Sequence, residues 1–462
     1  MLNSVVKNLI YAVSSQGIGL FLGVLRASVI PVYLGVTDFG TWQVYVLYLS
    51  FIGFFTYGYN DGIYLKYGAY NESDIDFKLI RTSLIFYMFS GFITIFIIAL
   101  FIGCSEFDKN KEIALYAVLP NILLLSVIAY YSVIFQVTNQ IKKFSYYMLV
   151  DKVSFVLMLI LILACNLLSF LNLILIDIAS KIILVFALFY SHRQYFFGRL
   201  EKISAGFFTY INSVKIGVNL LFSNVIGILV LTIGRLYVER NFTLEEFAIY
   251  SLGIMLTNVA LMAVSAISLV AYPAIKRADE NKYGDIYVSI SNIYTIGLSF
   301  IFCFYFIIYF LVFNFMKDYL ELLNYLNLLF VICVLQGKMQ LLLNTYYKVL
   351  RKEVEMLKAN ITTILLCVIF IALSSVFLDS VEGVVLSILL SIAVRVILSE
   401  YYIRDILNLC KSTIFVDFFI CSSFLFLTFF KYDYISIFLM IIILFVTIFV
   451  HGKNILGLVK NA

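Results

Sequence analysis

Histidine is almost missing from this chain, with two residues, His192 and His451, and proline is nearly as scarce, with three. There is no His cluster, Walker-type phosphate loop, G-x-S-x-G elbow or zinc-ligand spacing. ATPase and metal-enzyme chemistry is therefore not expected. The seven cysteines, at 104, 165, 303, 333, 367, 410 and 421, have neither pair spacing nor metal-ligand spacing. Charge is sparse as well, at 13% of residues, and is confined to short gaps between apolar runs. The N-terminus has no small-residue cleavage site and runs straight into the first apolar run, so no cleaved signal is expected.

What the chain does have is apolar surface. Its residues are 63% hydrophobic, more than a soluble domain can hide and what a chain facing lipid need not hide. A spanning helix takes roughly 20 apolar residues. Runs of that kind are read at about 8–34, 40–61, 82–103, 113–136, 153–169, 172–190, 216–238, 248–272, 291–314, 322–347, 359–378, 383–399, 413–430 and 434–450. The stretch 153–190 is read as two spans broken at Asn166–Phe170, because one helix of that length would overshoot a bilayer. The expected fold is an all-α polytopic membrane protein of about 14 transmembrane helices.

Lys and Arg set the orientation. Twenty-two of them lie at the termini and in the loops near residues 66–81, 142–152, 193–215, 276–282, 348–358 and 404–411, against five in the alternate loops. That bias places both termini and the basic loops in the cytoplasm. The net charge of +5 therefore reports topology and not a nucleic-acid partner. The sole tryptophan, Trp42, reads as an aromatic-belt residue at the outer end of the second span. The abundant Phe and Tyr read as lipid-facing filler.

A shift of 209 residues brings Arg26 onto Arg235, Ile141-Lys142-Lys143 onto Leu350-Arg351-Lys352, and Asp151 onto Asn360; Phe39 matches Phe247 with one gap. An offset shared by equivalent loops suggests a duplication. It divides the chain into six-helix bundles at 1–205 and 206–411 with two added helices at 412–462. Six is an even number, so the repeats are parallel, an arrangement found in transporters.

A charge near the bilayer centre costs roughly 2.5–3.5 kcal/mol on translocon scales, so each one needs a partner, a wet cavity or a task. The intramembrane cations Arg26, Lys181, Arg235, Lys338 and Arg395 are the candidate substrate-binding residues. Lys181 follows Asp177 by one turn and can pair with it. Arg395 continues a stripe of Ser387 and Ser391, read either as a cavity face or as close helix packing. On the tenth span Gln336, Gln340, Asn344 and Tyr347 share a face, with Lys338 nearly opposite. Asp177 and, at the cytoplasmic margin, Asp61 are the acidic counterparts. The cation surplus points to an anionic substrate, whereas an exporter of cationic drugs would more often present carboxylates. Asp61 is the candidate gate or coupling residue, expected to pair with a cation of the later half such as Lys276, Arg277 or Lys348.

The segment Leu34-Gly35-Val36-Thr37-Asp38-Phe39-Gly40 resembles the LG-x-x-x-[FY]-G turn of polysaccharide flippases of the multidrug/oligosaccharidyl-lipid/polysaccharide exporter superfamily. Gly58-Tyr59-Asn60-Asp61-Gly62-Ile63-Tyr64-Leu65-Lys66-Tyr67-Gly68 looks like the next family feature. The resemblance is sharpest over about residues 1–80. It implies two six-helix bundles around a central cavity working by alternating access. It also implies an oligosaccharide on polyprenyl (undecaprenyl) pyrophosphate as substrate, flipped to the outer leaflet of a bacterial inner membrane. No cofactor is implied, and proton or sodium coupling is left open. Fourteen spans depart from the 12 described for many O-antigen flippases and match the lipid II flippase branch. Two other classes stand as alternatives: a drug exporter of the same fold, and a polytopic glycan polymerase or transferase. The last typically needs a large Arg-bearing outer loop, and here the outer loops run to about ten residues or fewer.

Overall fold

The apolar runs fold as helices because a backbone inside hydrocarbon must satisfy its own hydrogen bonds. The computed structural model describes residues 2–68, 72, 75–409, 414–429 and 433–460, and no strand occurs among them. Two of the sequence candidates, Cys410 and Lys411, and the outer-loop Lys431 lie outside the described residues. The chain forms two compact units, Met1–Ile228 and Leu229–Ala462.

The first unit holds α1 (Leu2–Leu34), α2 (Val36–Leu49), α3 (Tyr59–Tyr67), α4 (Phe77–Gly103), α5 (Lys109–Val137), α6 (Ile141–Ala164), α7 (Phe170–Phe196) and the start of α8 (Ile203–Asn241). The second holds the rest of α8, then α9 (Leu244–Arg277), α10 (Tyr283–Phe315), α11 (Leu326–Lys338), α12 (Asn344–Val349), α13 (Glu353–Phe377), α14 (Val381–Ile406), α15 (Ile414–Phe429) and α16 (Asp433–Lys460). The sequence put a boundary at 205/206; the division between units falls within α8. Eleven described helices are long and apolar enough to cross a membrane, and two shorter apolar helices end the chain. With the 39-residue α8 this set is compatible with 14 spans. The protein is a multi-pass membrane protein.

Turn and cap residues explain the main breaks. Asn166, at φ 55°, ends α6, and the Ser169 hydroxyl caps α7 by accepting from Asn172 N at 3.3 Å. The stretch 153–190 is thus two helices. Asp379 and Ser380 do the same work before α14, where Ser380 accepts from Gly383 N at 3.2 Å. A capping box starts α9, with Thr243 N donating to Glu246 and Glu246 N to Thr243.

The run 40–61 contains the candidate span Val36–Thr56 and has an irregular end: α2 ends at Leu49, a 3₁₀ turn covers Ile52–Thr56, and Tyr57 and Gly58, both at positive φ, lead into α3. The aromatic residues are not mere filler, because Tyr45, Tyr59, Tyr87, Tyr130, Tyr131 and Tyr195 are all buried. The tenth span also has an internal feature: a π-helical turn at Met339–Leu343 joins α11 to α12. The Gln340 carbonyl there accepts from the Ser268 hydroxyl at 3.0 Å, supplying a partner to a widened turn.

Glycine lets α3 lie against the backbone of α8. A Cβ on Gly62 would sit 1.9 Å from the Ser213 carbonyl oxygen, and one on Gly217 would sit 2.0 Å from that of Gly58. Gly62→Ala is therefore expected to cost about 1–3 kcal/mol through overpacking, seen as a lowered thermal midpoint in detergent. Gly53→Ala, whose Cβ would meet nothing within 4 Å, should leave the midpoint unchanged. Equal melting of Gly62→Ala and wild type would refute the close approach.

Candidate functional site

Each unit holds one cluster of buried charges that engage one another. In the first unit the centre is an anion. Asp177 on α7 accepts from Tyr45 Oη of α2 at 2.7 Å and from Lys181 Nζ one turn along its own helix. Asn121 of α5 donates to the same Tyr45 oxygen at 2.9 Å. Ser180 donates to Asp151 of α6 at 2.8 Å, joining a second carboxylate. Arg26 of α1 stands further off, its Nη2 3.8 Å from Asp177 Oδ1. Aromatic faces hold its guanidinium, 4.7 Å from the Trp42 ring centroid and 4.2 Å from that of Phe155.

This geometry corrects the reading of Trp42, which is buried and serves as a platform for Arg26. It also separates two sequence candidates. Lys181 is buried and engaged by its carboxylate, whereas the Arg26 side chain is 31% exposed.

In the second unit the centre is a cation. Lys338, at the C-terminal end of α11, donates to Glu400 Oε2 of α14 at 2.5 Å and to Asp417 Oδ2 of α15 at 2.7 Å. Thr295 of α10 donates to the other Asp417 oxygen at 2.6 Å. All three charged side chains are at most 2% exposed. The sequence reading missed Glu400 and Asp417 as partners because they lie near the ends of apolar runs, where they resemble loop charges. The cation surplus is correspondingly smaller than it read, and Lys338 is a saturated ion pair.

Arg235 and Arg395 sit in different surroundings. Arg235 of α8 is half-buried, reaches Ser251 Oγ at 3.4 Å and lies 5.8 Å from the Phe247 ring centroid. Arg26 and Arg235, which share the 209-residue offset, thus each lie near an aromatic ring of the following helix, Trp42 and Phe247. Arg395 of α14 is buried, and its Nε and Nη1 meet no hydrogen-bond partner among the described residues. The serine stripe beside it is helix packing, with Ser387 donating to the Phe370 carbonyl of α13 at 3.0 Å and Ser391 to Ser387 O at 2.7 Å. Of the polar face on the tenth span, Gln340 donates to Ser265 of α9 at 2.7 Å.

Asp61 is half-buried in the first turn of α3, and burial pushes its carboxyl above the usual carboxylate range. No ion pair engages it within its own unit among the described residues. The expected partner Lys276 donates to the Val349 carbonyl at 3.0 Å. The side chains of Arg277 and of Val270, which the 209 shift makes the counterpart of Asp61, lie outside the described residues. Among the described residues no group of His, Cys, Asp and Glu could hold a metal ion.

A family model described as "Polysaccharide biosynthesis protein" matches residues 5–279, more than half of the chain. The chain belongs to the polysaccharide biosynthesis protein family. A search of the curated proteins found no match. Among solved structures, this family member is similar to the lipid II flippase MurJ in an inward closed conformation. That match has TM-score 0.67 and 13% identity, and covers 98% of this chain and 100% of MurJ. It is also similar to an inward-facing multidrug resistance transporter of the MATE family and MOP superfamily, with TM-score 0.65 and 13% identity over 87% of this chain and 98% of the transporter. At such identities the likeness is one of fold.

The Lys338 cluster has the geometry of a structural ion pair. Lys338→Met leaves two carboxylates buried without their cation and is expected to cost about 3–5 kcal/mol, read by thermal unfolding in detergent. Adding Glu400→Gln and Asp417→Asn should recover most of that loss. Wild-type stability of Lys338→Met alone would show that the carboxylates do not depend on Lys338.

Proposed function

We propose that this protein is a flippase that moves an oligosaccharide carried on a polyprenyl pyrophosphate, such as undecaprenyl pyrophosphate, from the inner to the outer leaflet by alternating access. Its membership of a polysaccharide biosynthesis family and its MurJ-like fold support the class. The observation that carries the chemistry is Arg26. Its guanidinium is held in place on two aromatic faces, partly exposed, and only loosely met by a carboxylate that Lys181 already engages. Such a group keeps donors for a phosphate, which guanidinium binds in bidentate fashion. Arg235 and Arg395 are proposed to follow the substrate's charge, and Lys338 and Lys181 to hold helices together.

Energetics allow the task. A pyrophosphate diester carries about two negative charges, and each gains about 2.3 kcal/mol per 100 mV on moving outward across an inside-negative membrane. If the charges move uncompensated, roughly 4–5 kcal/mol is available per event. Proton or sodium coupling through Asp61 would add to this.

The test is export. Arg26→Ala should abolish surface polysaccharide while the protein still inserts and accumulates, and Arg26→Lys should retain part of the activity. Normal export by Arg26→Ala at matched expression would remove the motive for an anionic substrate. In the same assay, normal export by Asp61→Asn would make that residue an interfacial charge alone. An exporter of organic cations on this scaffold would instead confer toxin resistance and leave surface polysaccharide untouched.

We further propose that the protein lies in a bacterial inner membrane with both termini in the cytoplasm. In a background without native cysteines, Asp379→Cys and Glu382→Cys should react with an impermeant thiol reagent from outside, and Arg351→Cys and Lys352→Cys only after permeabilisation. Labelling of the Arg351→Cys variant in intact cells would invert the orientation.

A further inference from the structure

Grooves open on the apolar surface of both units, and two of them differ in charge. One, of about 380 Å³, lies between α10 and α16 and is lined by Cys303, Phe306, Ile307, Phe310, Ile437 and Ile441. None of these side chains is charged. The other, of about 480 Å³, lies between α4 and the segment that follows α7, and ends at a cation, Arg81. Along α4 its wall is Ile85, Met88, Phe89 and Phe92, and across from them stand Phe197 and Leu200.

The Arg81 end is held by several bonds. Arg81 Nε donates to the Phe77 carbonyl at 2.9 Å and Nη1 to the Phe197 carbonyl at 3.4 Å. Among the described residues its Nη2 donates to no acceptor and no carboxylate pairs with it. The following residue, Thr82, accepts from Glu201 N at 2.8 Å, stitching the segment after α7 to α4. The last turn of α7, which leads into that segment, is fixed by Tyr130, which donates to the Tyr195 carbonyl at 2.7 Å. Gly198, at φ 149°, makes room for the guanidinium: a Cβ there would lie 1.6 Å from Arg81 Nη1. Lys78, Arg199 and Lys202 are exposed around the same rim.

Depth selects the occupant. Arg81 to Phe92 is eleven residues of α4, a rise of about 16 Å at 1.5 Å per residue. That is about half of a hydrocarbon core of ~30 Å. A ligand with its anionic group at Arg81 and its chain ending beside Phe92 fits within a single leaflet. The exposed side chains on this path, Ile85 at 51%, Phe89 at 62% and Phe92 at 58%, are apolar, as a chain-binding wall requires.

We propose that this groove is a binding site for one anionic glycerophospholipid of the leaflet on the basic-loop side, with the phosphate at Arg81 and one acyl chain along Ile85 to Phe92. The basic rim attracts an anionic headgroup, and a charge-assisted hydrogen bond from Arg81 positions it. The site is independent of the flippase reading, since it needs only a membrane protein with this groove.

The experiment uses the full-length protein, delipidated in detergent and titrated with phosphatidylglycerol or phosphatidylcholine, with bound lipid counted by native mass spectrometry. Wild type should retain phosphatidylglycerol about fivefold to tenfold better than phosphatidylcholine. Arg81→Ala should erase that preference. Gly198→Ala should do the same while leaving the charge in place, because its Cβ displaces the guanidinium. Lys143→Ala, which removes a basic-side charge elsewhere, should leave the preference intact. Equal retention of the two lipids by wild type, or an undiminished preference in both Arg81→Ala and Gly198→Ala, would overturn the proposal. So would displacement of phosphatidylglycerol by a lower concentration of undecaprenyl phosphate, which would assign the groove to a polyprenyl chain.

Discussion

A charge buried in hydrocarbon must be answered, and the two units answer it with opposite polarity. In the first, one carboxylate, Asp177, gathers groups from α1, α2 and α7, and through Tyr45 reaches Asn121 of α5. In the second, one ammonium, Lys338, gathers carboxylates from α14 and α15, with Thr295 of α10 bonded to Asp417. Helices that share a lipid environment gain little from hydrophobic association, since lipid is as apolar as leucine. A central ion that several helices must supply gives what apolar contact does not, a reason for particular helices to be neighbours. The remaining apolar surface is then free to face lipid, as the exposed phenylalanines of α4 do.

The same constraint decides what was legible in the sequence. The helical class, the multi-pass character and the break at Asn166–Phe170 follow from apolar run length and turn residues, which are local. The Asp177–Lys181 pair was legible because its members are one turn apart on one helix. Glu400 and Asp417 were not, because their partner is 62 and 79 residues away (400 − 338 and 417 − 338) and each lies near the end of an apolar run. Trp42 misled for a related reason. A tryptophan near a helix end reads as interfacial unless the arginine above it is known, and Arg26 lies on another helix.

The repeat shows how far a fixed offset carries. Arg26 and Arg235 are 209 apart and each lies near one aromatic ring of the next helix, so the offset finds a pair with that feature in common. Later in the chain the left-handed turn residues Asn139 and Arg351 are 212 apart. Turn geometry therefore sets Arg351 opposite Asn139, and the basic run Lys142-Lys143 falls three residues further on. Helices tolerate a drift of this size because the turns between them absorb it, whereas a shared charge motif does not.

The difference between Arg26 and Lys338 is the difference between a group that holds a position and a group that is consumed by it. Lys338 makes two short contacts with carboxylates and is sealed from solvent. A substrate phosphate could reach it only by breaking a pair whose loss leaves a buried charge uncompensated, at about 3–5 kcal/mol. Arg26 is oriented instead by ring faces, which attract the cation without neutralising it, and its nearest carboxylate stands at 3.8 Å. Aromatic support therefore keeps a guanidinium both fixed and electrostatically hungry. In a low-dielectric setting such a residual charge would attract an anion, and Arg235 in the second unit has a looser version of the same support, one ring, Phe247, at 5.8 Å.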